Sequence, residues 1–249
     1  MIDLHLIGIG TGNPDHLTRQ AGAAMNAADL ILLPRKGTAR SDLIDVRRML
    51  CAVALTRPVR IVEFDLPVRD AQRDYLSGVA EWHAAVAAAW AAQIARHLPG
   101  GGRLALLVWG DPSLYDSTLR IAERLRGDGM AMRIHVVPGI TSLQALTAAH
   151  ATPLNELGAP VVITTGRRLR DGWPGGADRV AVMLDGDCTF ATLPPAGVRI
   201  WWGAYLGMPN QALASGPLAD VAASIVERRA ALRREHGWIM DTYLLSRAA

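Results

Sequence analysis

The run Leu104-Ala105-Leu106-Leu107-Val108-Trp109 stops abruptly at Gly110-Asp111-Pro112-Ser113. Unbroken apolar sequence with no polar alternation fits a strand buried on both faces, as in a parallel sheet with helices on either side. Gly110 permits close approach to the backbone, Pro112 fixes the turn, and Asp111 or Ser113 can cap a following helix. Ligands of open α/β sheets bind outside the carboxyl ends of the strands, so this turn is a candidate site. An ordinary strand-to-helix turn would read the same way.

The flanking sequence repeats the pattern. Strands are predicted at Leu4–Ile7, Asp29–Leu33, Val59–Phe64 and Ile134–Val137. They alternate with helices over Leu43–Leu55, Asp70–Leu98, Leu114–Leu125 and from Thr141 or Ser142 to His150, which argues for a mostly parallel sheet. In the long helix Leu76, Val79, His83, Val86, Trp90 and Ile94 recur at steps of three and four and form a core stripe, with Trp82 off its centre as a possible partner surface. Beyond residue 140 helices become sparse. Strands at Val161–Thr165, Val180–Leu184, Val198–Trp202 and Ile239–Leu245 share one helix, Leu218–His236. This reads as a second domain with a mixed sheet, giving 1–139 and 140–249 as the two domains.

Composition narrows the function. A formal charge of +3 with seven tryptophans, four tyrosines and two phenylalanines, the tryptophans mostly in apolar runs, does not make the basic, aromatic-studded stripe of an RNA binder. Cys51 and Cys188 are the two cysteines, so neither a disulfide framework nor a zinc site is expected, and no metal-ligand spacing occurs. The uncharged stretch Ala84–Ala95 is too short for the ~30 Å hydrocarbon core of a bilayer. Met1-Ile2-Asp3-Leu4-His5 leads straight into a strand with no room for a signal peptide, which predicts a cytoplasmic protein without membrane association.

The first turn, Gly8-Ile9-Gly10-Thr11-Gly12-Asn13-Pro14, is not a dinucleotide fingerprint. Asn13 stands where G-x-G-x-x-G needs its third glycine, and the strand Leu30–Leu33 is followed by Pro34-Arg35-Lys36 rather than by an acidic residue. Together with Trp109-Gly110-Asp111-Pro112 and Val136-Val137-Pro138-Gly139-Ile140-Thr141-Ser142, it resembles the tetrapyrrole methylase family in order and spacing over nearly the whole chain. The segments Phe64-Asp65-Leu66-Pro67-Val68-Arg69-Asp70, Trp82-His83 and Trp109–Asp116 look like the corrin-pathway member that methylates C-1 of precorrin-5 and releases acetate. Thr11, Asn13, Trp109 and Leu114-Tyr115-Asp116-Ser117 depart from the general pattern at positions that face substrate in the family.

The resemblance implies a two-domain α/β fold with S-adenosylmethionine in a cleft between the domains, a tetrapyrrole substrate and a homodimer. It implies cofactor contacts from Thr11, Trp109, Gly110, Asp111, Leu114, Thr141 and Ser142, and from Met183, Leu184, Ala204, Asp241 and Thr242. Asp111 could pair with the cofactor's ammonium or ribose, or cap a helix. Substrate contacts fall to Gly10, Gly12, Arg35, Lys36 and Arg167, since a polycarboxylate calls for cations. Arg35, Lys36 and Arg40 follow one strand and Arg167, Arg168 and Arg170 another; each alone also fits a solvated loop. Acetate release needs water activated at an acetyl carbonyl, for which Asp111, Tyr115, Asp116, His16 and Glu156 are candidates. The alternatives are another tetrapyrrole methylase, an RNA methylase on the same scaffold, and a tetrapyrrole carrier without catalysis.

Overall fold

The computed structural model describes residues 1–35, 42–68 and 75–247. Lys36, Arg40 and the predicted helix start at Asp70 lie outside them. The chain divides into two compact units, Met1–Ile140 and Thr141–Ala249.

The first unit holds strands β1 (Ile2–Gly8), β2 (Leu30–Arg35), β3 (Arg60–Asp65), β4 (Gly102–Val108) and β5 (Met132–Val137), with helices α1 (Arg19–Ala27), α2 (Asp42–Ala54), α3 (Tyr75–His97) and α4 (Thr118–Gly127). The order is β3-β2-β4-β1-β5 and every pairing is parallel. Successive residues serve opposite faces. Leu4, Leu6, Leu30, Leu32, Leu104, Leu106 and Val108 pack with Val86, Trp90 and Ile94 of α3 and Ile121 and Leu125 of α4. Ile7, Ile31, Leu33, Ala105 and Leu107 pack with Met25 of α1 and Ile44, Leu50 and Cys51 of α2. The two-sided burial read from the central apolar run is met on both faces.

Trp82 is not a partner surface: it packs against the first of these clusters, and its Nε1–H donates to Pro67 C=O at 2.8 Å. Asn13 caps a short 3-10 turn, Pro14–His16, and α1 begins after it, where Thr18 Oγ1 accepts from Ala21 N–H at 3.0 Å. One predicted helix start moves: α4 begins at Thr118 rather than Leu114, because Tyr115 takes a left-handed φ of 49° that a helix excludes.

The second unit holds β6 (Val161–Thr165), β7 (Arg179–Met183), β8 (Val198–Ala204), β9 (Ala212–Pro217) and β10 (Asp241–Arg247), with α5 (Ser142–Ala149), the short α6 (Gly166–Leu169) and α7 (Leu218–His236). The order is β6-β7-β10-β8-β9; β6 and β7 run parallel and the other pairs antiparallel. This is the mixed sheet expected. The sequence reading missed β9, whose Ala-Leu-Ala-Ser-Gly-Pro carries little apolar signal and which is an edge strand. The last strand starts two positions later than expected, at Asp241 rather than Ile239. Of Thr141 and Ser142, Thr141 is the cap of α5, in a reciprocal box with Gln144.

Candidate active site

In the first unit three turns meet at the carboxyl ends of adjacent strands β4, β1 and β5, and they meet backbone to backbone. Gly10 N–H donates to Gly110 C=O at 3.2 Å and Gly110 N–H to Gly10 C=O at 2.8 Å. A Cβ on Gly8 would stand 2.6 Å from Gly139 N and 2.8 Å from Gly110 O, and one on Gly139 would strike Gly110 O. These glycines are required by mutual approach. Gly10, Gly12 and Gly110 also take positive φ (70°, 100° and 66°), where a side chain is strained.

Asp111 ties the assembly together. One carboxylate oxygen accepts from Gly139 N–H at 2.8 Å and the other from Ser113 N–H at 2.8 Å and from the Ser113 hydroxyl. Burial pushes the carboxyl up, but the Ser113 and Gly139 bonds outweigh it and hold Asp111 below the usual carboxylate range. It caps no helix; the carboxylate that takes Thr118 N–H at the head of α4, at 2.7 Å, is that of Asp116. A carboxyl depressed by folding adds stability above its unfolded pKa, and that stability disappears as pH falls through the folded value. Asp111→Asn is therefore expected to melt below the parent at neutral pH, and the difference should shrink as pH falls through and below the ordinary carboxylate range, as thermal melts across that range would report.

The remaining predicted residues of this unit are in varied states. Thr11 is buried, with Oγ1 2.8 Å from His16 Nδ1. Trp109 and Leu114 are half-buried. Tyr115 is 44% exposed, and partial burial raises its phenol above the ordinary value, so it is a proton donor rather than a base at neutral pH. Arg35 is bound bidentately by Asp65, at 3.0 and 3.1 Å, which neutralises the cation expected to meet substrate.

In the second unit Met183, Leu184, Ala204, Asp241 and Thr242 come together at one end of β7, β8 and β10, as the Asp241↔Ala204 and Tyr243↔Val182 registers require. Leu184 takes φ 55° and is 65% exposed. Asp241 is buried in a pair with Arg229 (2.9 and 3.2 Å) and accepts from Trp202 Nε1–H at 2.9 Å. Thr242 Oγ1 donates to Val182 C=O at 2.7 Å. Arg167 is exposed on α6, Arg168 lies 3.8 Å from Asp171, and Arg170 pairs with Asp187. Glu156 pairs with the buried Arg179. Among the described residues no group of three or more His, Cys, Asp or Glu could hold a metal, and no helix is long and apolar enough to cross a membrane.

Residues 3–222 match the sequence profile of the tetrapyrrole (corrin/porphyrin) methylases. The chain belongs to that family. A curated relative from Sinorhizobium sp., precorrin-6A synthase [deacetylating], is 48% identical over 98% of this chain and 95% of its own. The solved structure of a cobalamin-synthesis-related protein (CobF) from Corynebacterium diphtheriae superposes on this methylase with a TM-score of 0.84, at 38% identity and with full coverage of both chains. The uroporphyrin-III C-methyltransferase of Thermus thermophilus, solved with S-adenosylhomocysteine, shares the fold at a TM-score of 0.61 and 19% identity, over 98% of this chain and 97% of that one.

What the sequence reading missed is a basic residue in α2. Arg47 donates from Nε to Leu107 C=O at 3.1 Å, beside the Gly110 turn. Lying mid-helix, it gave no strand-end signal.

Proposed function

We propose that this methylase transfers the methyl group of S-adenosylmethionine to C-1 of precorrin-5 and releases acetate, acting as a deacetylating precorrin-6A synthase. The observation that carries the reading is the 48% identity to a protein of that name, sustained over 98% of the chain. The strand-end turns suit such a cofactor: Gly10, Gly12 and Gly110 place no side chain at the strand ends, and the half-buried Trp109 and Leu114 add apolar surface beside them.

S-adenosylmethionine supplies an activated methyl on sulfur. The protein's part is to hold an electron-rich ring carbon in line with the S–CH3 bond and to exclude water from that bond, so most of the rate comes from positioning. In the first unit Thr11, Trp109, Gly110 and Leu114 are assigned to the cofactor, and Gly10, Gly12, Arg35 and Lys36 to the substrate. In the second, Thr141, Ser142, Met183, Leu184, Ala204, Asp241 and Thr242 are assigned to the cofactor and Arg167 to the substrate. Asp111 acts by holding the turn, since both its oxygens are engaged. For deacetylation, water adds to the acetyl carbonyl, the C–C bond breaks, acetate leaves, and the electron pair stays on the macrocycle. Tyr115 donates a hydrogen bond to the acetyl oxygen and Asp116 orients the attacking water. A homodimer in the cytoplasm completes the reading.

Incubation with precorrin-5 and S-adenosylmethionine is expected to give S-adenosylhomocysteine and acetate in equal amounts. Methyl transfer without acetate would assign the chain to another ring carbon. Absence of S-adenosylhomocysteine binding in calorimetry would overturn the methylase reading and favour a carrier.

A further inference from the structure

Carbonyls along a strand point alternately to its two neighbours. On β4, Val108 C=O accepts from Ile9 N–H on the β1 side at 2.9 Å, and Arg103 C=O from Asp29 N–H on the β2 side at 2.9 Å. Leu107 C=O therefore faces β2. β2 has already parted from β4 there: their last paired residues are Leu32 and Leu106, while β2 runs on against β3 as far as Arg35. The Leu107 carbonyl would be left bare at the end of the core, and the Arg47 guanidinium takes it.

The gap between these two strands is also a topological switch point. From β2 the chain leaves to the face covered by α1 and α2; from β4 it leaves to the face covered by α3 and α4. Such points are where open α/β sheets bind ligands. β1 and β4 form a second switch point, but the paired Gly10 and Gly110 close it. Among the described residues no such backbone pair closes the β2–β4 gap.

The group in that gap is a cation that no carboxylate bonds among the described residues. Arg47 donates to two neutral carbonyls, Leu107 from Nε and Leu43 from Nη1 at 3.3 Å, and among the described residues its Nη2 makes no hydrogen bond. Asp116 acts on it only through space, and burial pulls the guanidinium down to about 10. Arg35, Arg48, Arg133, Arg170, Arg179 and Arg229 each have a carboxylate partner. Satisfying the Leu107 carbonyl needs only a neutral N–H donor, and a half-buried charge with no carboxylate bonded to it among the described residues is an unfavourable way to provide one. The charge has a use beyond the carbonyl.

We propose that Arg47 forms an anion site in the β2–β4 gap, its Nη2 edge taking a carboxylate of the tetrapyrrole substrate. The inference rests on the methylase reading above and adds to it a cation that is not already neutralised, as Arg35 is by Asp65.

The test uses the full chain with Arg47→Met, Arg47→Gln and Arg47→Lys. Uroporphyrin III, an octacarboxylate tetrapyrrole, is titrated by quenching of tryptophan fluorescence, S-adenosylhomocysteine is titrated by calorimetry, and melting temperatures are recorded. Arg47→Met and Arg47→Gln are expected to weaken uroporphyrin binding at least about tenfold, as loss of a charge-assisted bond implies, and Arg47→Lys to recover part of it. S-adenosylhomocysteine affinity should stay unchanged, and Arg47→Met should melt lower than Arg47→Gln because it leaves Leu107 C=O without its donor. A strut serving only Leu107 would give the same order of melts, but porphyrin affinity would not change in any of the three variants. That result, or failure of the parent to bind uroporphyrin, overturns the anion site. Failure of the parent to bind S-adenosylhomocysteine instead overturns the methylase reading.

Discussion

Gly139→Ala is expected to destabilise the first unit by at least about 3 kcal/mol, at the upper end of overpacking effects. The added carbon would strike Gly110 O and the backbone of Gly8, not the end of a flexible side chain. Relief requires moving one of three strand-end turns, and all three are cross-linked: Gly110 by its pair of bonds to Gly10, and Gly139 by Asp111. In a chain of 249 residues this corresponds to a fall in melting temperature of roughly 6–12 °C. Because the turns carry the proposed cofactor contacts, affinity for S-adenosylhomocysteine should fall with it. Gly22→Ala is the control. Gly22 lies within α1 with nothing near its missing side chain, so alanine there should add about 0.5–1 kcal/mol. A Gly139→Ala protein that melts with the parent would mean that the turns are loosely held and that the glycines serve only local backbone geometry.

Arg229→Met is expected to have the largest effect in the second unit, about 3–5 kcal/mol, because it strands a buried carboxylate. Both side chains are nearly inaccessible, at 9% and 6%. Arg229 donates to both oxygens of Asp241 and also to Asp185 C=O and Gly186 C=O, so one guanidinium holds the strand-end loop after β7 and the start of β10 together. Without it Asp241 keeps one donor, Trp202 Nε1–H. Chemical denaturation should show the loss, and the double variant Arg229→Met/Asp241→Leu should recover most of it, since removing both charges removes the unpaired one. If the single variant were as stable as the parent, the pair would contribute nothing and Asp241 would be free for another partner. The double variant also tests the cofactor assignment. Unchanged S-adenosylhomocysteine affinity would make Asp241 a support for its neighbours Ala204 and Thr242.

The parallel sheet is legible because burial on both faces leaves unmistakable runs such as Leu104–Trp109, and because four of the five predicted strands are followed at once by glycine or proline (Gly8, Pro34, Gly110 and Pro138). The two units could be told apart by the change in helix density near residue 140. The positions of Met183, Ala204 and Asp241 at one sheet end followed from family resemblance, and the antiparallel registers give the physical reason they meet. The head of α4 was misplaced because Asp111, Ser113 and Asp116 are equally good caps in sequence, and only the left-handed Tyr115 decides among them. β9 was missed because an edge strand needs little apolar side chain to hold its place.

By itself the sequence determined the alternation of elements, the buried faces, the glycine turns and the family, since these depend on local periodicity and on residue types that only certain backbones admit. Tertiary structure alone decided which charges are occupied. Arg35 and Asp111, prominent in sequence, are bound by Asp65 and by Ser113 with Gly139, whereas Arg47, hidden in a helix, reaches Leu107 C=O where the pairing of β2 and β4 has ended. Charge pairing depends on which side chains the fold brings within a few ångströms, and sequence separation carries no record of that.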